Sequence, residues 1–213
     1  MRQFLQIAIF ALVCTVLTAC GGESNTVLIK TNKGDITVEL FDETPRHQEN
    51  FKKMVNENYY DGLLFHRVMP GFMIQGGDPN SRGAAAGAAL GMGGPGYTLE
   101  HEIGQPHLRG ALAAARTPNP QKASSGSQFY IVTGQPQAAS ALDQYERMKG
   151  IKYSEAQRAA YIKDGGRPDL DMDYTVFGQV ISGMEVVDEI SAGATAAANR
   201  PVEDVVIIGM SYK

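Results

Sequence analysis

From Thr26 onward the chain is broken into short β-rich runs by glycine and turn residues, and no other feature constrains its fold as much. Residues 27–30 and 36–40 flank Asn32-Lys33-Gly34-Asp35, and the alternation of Ile36, Val38 and Leu40 reads as the second strand of a hairpin. Further runs of this kind lie at 64–68, 72–76, 110–115, 128–132, 175–180 and 205–210. Helical patterns are few. Thr44-Pro45 opens one, as N-cap and first helical residue, with Phe51, Met54 and Val55 on its buried face. A second fits 184–190. Many short strands, glycine-rich turns and few helices predict a mainly β chain curled into a closed barrel.

One segment departs from this rhythm. Residues 135–167 are rich in alanine, glutamine and charge; 141–149 suits a helix, and Ser154-Glu155-Ala156-Gln157 has the form of a capping box. This reads as a helical insertion on a barrel loop rather than a second domain.

The start of the chain reads as an address. After Arg2, residues 4–17 form an uncharged apolar run, shorter than the roughly 20 residues a membrane span needs but suited to a secretory leader. It ends in Leu17-Thr18-Ala19-Cys20, which resembles a bacterial lipobox. The expected division is a lipoprotein signal peptide over 1–19, a lipidated Cys20 with a polar tether to residue 25, and one domain over 26–213. Cys14 would leave with the leader and Cys20 would carry lipid, so stability would come from packing without a disulfide. The implied location is the membrane-anchored, exported, periplasmic face of a bacterial envelope. Losing Arg2 moves the formal charge from −4 to −5, and there is no basic run, so nucleic acid is not an expected partner. Membrane contact is expected through the lipid on Cys20.

Several chemistries lack their residues. His47, His66, His101 and His107 are scattered, so no metal site is expected. There is no G-x-S-x-G elbow. Residues 91–96 match G-x-G-x-x-G literally, but Pro95 and the missing strand and helix make them a surface turn. The run FHRVMPGFMIQGGD, residues 65–78, is different: Arg67 precedes a Pro-Gly turn, and Met73 and Gln75 share one face of the strand that follows. By residue type alone a core hairpin with a solvated arginine is the favoured reading.

Its order of residues, however, resembles the signature of the cyclophilin-type peptidyl-prolyl cis-trans isomerases. The resemblance continues in HLRGALAAAR (107–116), in GSQFYI (126–131), and in Leu170-Asp171 followed by YTVFG (174–178), all in the family's order. It implies an eight-stranded antiparallel barrel capped by two helices, acting without cofactor on proline-containing polypeptides, as a monomer. It implies Arg67 as the catalytic residue. Phe72, Met73, Phe129, Tyr130 and Leu170 would line the proline pocket; Gln75, Ala115, Arg116 and Gln128 would border the groove for the peptide backbone. Tyr174 would stand at the pocket edge, where many relatives have histidine, and His66 would have a structural hydrogen-bonding role. Three departures stand out. Asp169 replaces a rim tryptophan, which should weaken binding of the cyclic peptide cyclosporin. Tyr130 replaces a phenylalanine and brings a hydroxyl that needs a partner. Ala114 replaces a methionine. Two other readings use the same residues: a non-catalytic, membrane-tethered binding module for proline segments, and a scaffold whose insertion docks a membrane partner.

Overall fold

The computed structural model describes residues 24–213; the leader, the lipobox and Cys20 lie outside the described residues. Among the described residues there are ten strands: β1 (Thr26–Thr31), β2 (Gly34–Leu40), β3 (Arg67–Met69), β4 (Met73–Gly76), β5 (Thr98–Leu99), β6 (Ala111–Ala114), β7 (Ser124–Ser125), β8 (Phe129–Val132), β9 (Val176–Ser182) and β10 (Ile207–Tyr212). Eight of them form one antiparallel sheet in the order β10-β1-β2-β9-β6-β8-β4-β3. Each corresponds to a run expected from sequence. The pair β5–β7 does not, because two residues per strand carry no readable alternation.

The expected closed barrel is corrected to a half-barrel. No ladder joins the edge strands β10 and β3. The seam is crossed by the single bridge Leu64–Val206, where the Phe65 N–H donates to the Val205 carbonyl at 2.9 Å and the Ile207 N–H to the Leu63 carbonyl at 2.8 Å.

Among the described residues four α-helices accompany the sheet: α1 (Pro45–Asn56), α2 (Ala139–Lys149), α3 (Glu155–Lys163) and α4 (Met184–Ala192). The start of α1 shows what sequence could not. Thr44 occupies the N-cap position, but its side chain makes no capping bond and donates instead to the Phe41 carbonyl at 3.3 Å. The Glu102 carboxylate, distant in sequence, accepts the free N–H groups of Arg46 and His47 at 3.1 and 3.0 Å. A carboxylate there also complements the helix dipole.

Alternation along the strands separates two apolar clusters. Val68, Ile74, Leu112, Phe129, Ile131 and Phe177 face the interior of the sheet, joined by Phe51, Met54 and Val55 of α1 and Val187 and Ile190 of α4. Their neighbours Met73, Ala113, Tyr130, Val132 and Val176 face outward, with Phe72, Ala115, Leu170 and Tyr174 packed on them. The insertion has a small core of its own, Leu142, Tyr153 and Tyr161. Ser154 and Gln157 form the capping box read from the sequence, at 3.2 and 2.9 Å. The ends of the insertion meet at Gly134 and Gly166, where a side chain on either would strike backbone.

Candidate active site

One row of residues crosses the outer face of the sheet. Arg67 on β3 stands opposite Gln75 on β4, Gln75 opposite Tyr130 on β8, and Tyr130 opposite Ala113 on β6. Directly opposed residues share a face and touch, so a register of four strands gathers residues that lie far apart in the chain.

Hydrogen bonds link this row. Arg67 Nη1 donates to Gln75 Oε1 at 3.1 Å, and Gln75 Nε2 donates to Gln128 Oε1 at 2.9 Å. Gln128 Nε2 donates in turn to the carbonyls of Gly91 and Gly93, at 2.9 and 2.7 Å. Asp78, buried behind this loop, accepts the Gly91 N–H and the Asn80 N–H and so fixes the loop's approach. Arg67 Nη2 lies 3.1 Å from Met69 Sδ. A guanidinium has five N–H donors, so these contacts hold Arg67 in place and leave donors for a ligand.

Arg67, Phe72, Met73, Gln75, Ala115, Arg116, Tyr130, Leu170 and Tyr174 line one cavity of about 690 Å³. Gln128 borders the groove that continues it past Ala115 and Arg116. Phe129 is the exception: it is fully buried on the interior face, edge-on to Phe51, Tyr60 and Phe65. The strand's alternation gives the pocket to Tyr130 and the core to Phe129. The remaining walls come from residues 87–92 and 196–200, which are mostly alanine and glycine. Among the described residues, no group of His, Cys, Asp and Glu is arranged to hold a metal ion.

A chain with this sheet, this arginine and this apolar cavity can be compared with known proteins. The sequence model of the cyclophilin type peptidyl-prolyl cis-trans isomerase/CLD family matches residues 26–212. The chain belongs to that family. A Staphylococcus haemolyticus protein named for peptidyl-prolyl cis-trans isomerase activity is 40% identical over 183 residues, covering 85% of this chain and 87% of that protein. A Streptococcus pyogenes protein named as a bifunctional phosphatase/peptidyl-prolyl cis-trans isomerase is 41% identical over 192 residues, but the match spans only 37% of its length. A Cryptosporidium parvum cyclophilin crystal structure superposes with a TM-score of 0.62 at 26% identity, covering 89% of this chain and 97% of that one. The same protein in the presence of the dipeptide Ala-Pro gives 0.63 at 26% identity, with 88% and 98% covered. The activity is that of the family, isomerisation of peptidyl-prolyl bonds.

Within this cyclophilin the rim is rebuilt around Asp169. Asp169 accepts from Arg167 Nε and Nη2 at 2.8 and 2.6 Å, and the Arg167 guanidinium lies 4.0 Å above the Phe72 ring. Arg67 approaches the same ring at 5.7 Å. Burial pushes the Asp169 carboxyl up, but Arg167 outweighs it and holds the group below the usual range. An ion pair stacked on Phe72 thus stands at the rim. Arg116 stacks similarly on Tyr174, at 4.7 Å. Arg167 carries no motif signal, and sequence reading missed it.

His66 differs from expectation. It is buried against the cavity, yet neither ring nitrogen has a hydrogen-bond partner among the described residues. Burial lowers its pKa, against the attraction of Asp78. His47 is also lowered, by burial, against its bond to Glu102. Both histidines therefore resist protonation when folded, and the unfolded chain takes up those protons first as pH drops through about 6.5. Stability should decline as pH falls below about 6.5. His66→Gln should flatten that decline in a denaturant series; an equal decline would remove His66 as a contributor.

Proposed function

We propose that Arg67 catalyses X–Pro isomerisation by donating a hydrogen bond to the prolyl nitrogen of the twisted amide, on proline-containing segments of exported polypeptides. A peptide bond resists rotation by roughly 18–20 kcal/mol because its C–N bond has partial double-bond character. At the top of that barrier conjugation is lost and the nitrogen regains a lone pair. A donor aimed at it binds the twisted amide better than either planar isomer, which is the condition for rate enhancement.

The observation that carries this reading is Arg67 held beside an apolar cavity by Gln75 and Met69, with Phe72 beneath its guanidinium. A hydrogen bond from a charged donor contributes about 1.5–3 kcal/mol, or roughly 10- to 100-fold in rate. Met73, Tyr130 and Leu170 supply apolar surface for the prolyl ring, and excluding water there disfavours the dipolar planar amide. No covalent step is required.

Arg67→Ala should lower kcat/KM for a short X–Pro peptide by roughly 10- to 100-fold. No acceleration by the wild-type protein would sink the enzymatic reading, and an unchanged rate in Arg67→Ala would sink the assigned mechanism.

The lipobox-like Leu17-Thr18-Ala19-Cys20 supports a lipid anchor on Cys20 and a periplasmic setting, with the domain acting as a monomer a short tether from the membrane. Among the described residues no helix is long and apolar enough to cross a membrane. Cys20→Ser should move the protein out of the membrane fraction and abolish incorporation of labelled palmitate. Unaltered fractionation and labelling would exclude Cys20 as the anchor.

A further inference from the structure

We propose that the helical insertion braces the prolyl pocket through a buried relay, in which Asp171 and His107 are positioning residues that act on catalysis through Tyr130. The inference rests on the isomerase reading of the site. It assigns the insertion a role in that site, and it gives the hydroxyl of Tyr130 a partner and a direction.

The contacts form one unbroken path. The Tyr130 hydroxyl lies 3.0 Å from His107 Nε2, with the two rings nearly parallel at 12°. His107 Nδ1 lies 2.8 Å from Asp171 Oδ1, which also accepts the His107 backbone N–H at 2.7 Å. The other oxygen, Oδ2, accepts the hydroxyls of Tyr153 and Tyr161 at 2.6 and 2.7 Å. Tyr161 belongs to α3 and Tyr153 to the turn before it, so both donors come from the insertion. At the end of α2, Lys149 Nζ donates to the Asp171 carbonyl at 2.6 Å. Where the insertion rejoins the barrel, the Arg167 N–H donates to the His107 carbonyl at 2.8 Å and the Arg109 N–H to the Gly165 carbonyl at 2.9 Å. His107 is thus gripped by backbone and side chain alike, and neither it nor Asp171 is exposed.

Counting donors places a proton on Nδ1. An ionised carboxylate only accepts, so the imidazole must carry its proton on Nδ1 to bond Asp171. The proposed relay has Nε2 as the acceptor and the Tyr130 hydroxyl as its donor. The hydroxyl proton is turned away from the cavity, and the substrate proline meets the face and edge of an aromatic ring rather than a free donor. Tyr174, edge-on to both Tyr130 and His107 at 6.0 and 6.3 Å, packs the same wall. Burial pushes the Tyr130 phenol up, as do Tyr174 and Asp171, so it stays protonated and able to donate.

A coupling experiment separates this role from general support of the fold. His107→Leu and Tyr161→Phe are each made in the wild-type and the Tyr130→Phe background, and kcat, KM and peptide affinity by NMR titration are measured on one X–Pro peptide. Each substitution should lower kcat/KM by about fivefold or more when Tyr130 is present, and by less than about twofold when it is not. An equal loss in both backgrounds overturns the relay. If His107→Leu does not fold, Tyr161→Phe, which removes a single hydroxyl, decides the comparison. If the wild type binds the peptide without accelerating exchange, the isomerase reading fails while the same ratio of affinities still tests the relay. Nitrogen-15 spectra of His107 must also show the proton on Nδ1, with Nε2 losing its hydrogen bond in Tyr130→Phe; a proton on Nε2 overturns the relay whatever the kinetics.

Discussion

The site depends on the antiparallel register that sets Arg67 against Gln75 and Gln75 against Tyr130. Side chains alternate along each strand, so that register places Arg67, Gln75 and Tyr130 on one face and Val68, Ile74, Phe129 and Ile131 on the other. A slip of one residue would bury the guanidinium and expose the core. The interior cluster therefore protects the register, and the register places the arginine. Core and pocket are opposite faces of one sheet, here left open between β3 and β10.

Polar contacts then hold each member of the row. Gln75 and Gln128 extend Arg67's anchorage to the 91–93 loop, and that loop is held from behind by Asp78. At the rim, Arg167 and Asp169 neutralise each other over Phe72, a cation–π geometry worth about 0.5–2 kcal/mol. Behind Tyr130, four donors converge on one buried carboxylate. A buried charge is tolerated only when its hydrogen bonds are satisfied, and two of those four donors belong to the insertion.

Local signals were legible in the sequence, and contacts between distant segments were not. Alternation and turn residues located all eight strands of the main sheet, and Ser154 with Gln157 announced α3. The motif order identified Arg67, Gln75 and most of the pocket. Three features escaped because they are made between distant segments: the open seam, the capping of α1 by Glu102 in place of Thr44, and the Asp171 junction. Phe129 and Tyr130 are adjacent, and only the strand's facing separates core from pocket. His107 and Asp171 both stood inside matched motifs, and a pocket tyrosine in need of a partner was the available clue to them.

The central claim is that the Arg67 guanidinium, held by Gln75 and Met69, donates to the nitrogen of the twisted amide, a placement that a lysine cannot reproduce. Exchange spectroscopy of an X–Pro peptide held saturating on the protein measures cis–trans interconversion in the bound state, separately from affinity. The account predicts fast bound-state exchange in the wild type, and exchange at least about tenfold slower in Arg67→Lys at similar affinity. Undiminished exchange in Arg67→Lys would contradict it.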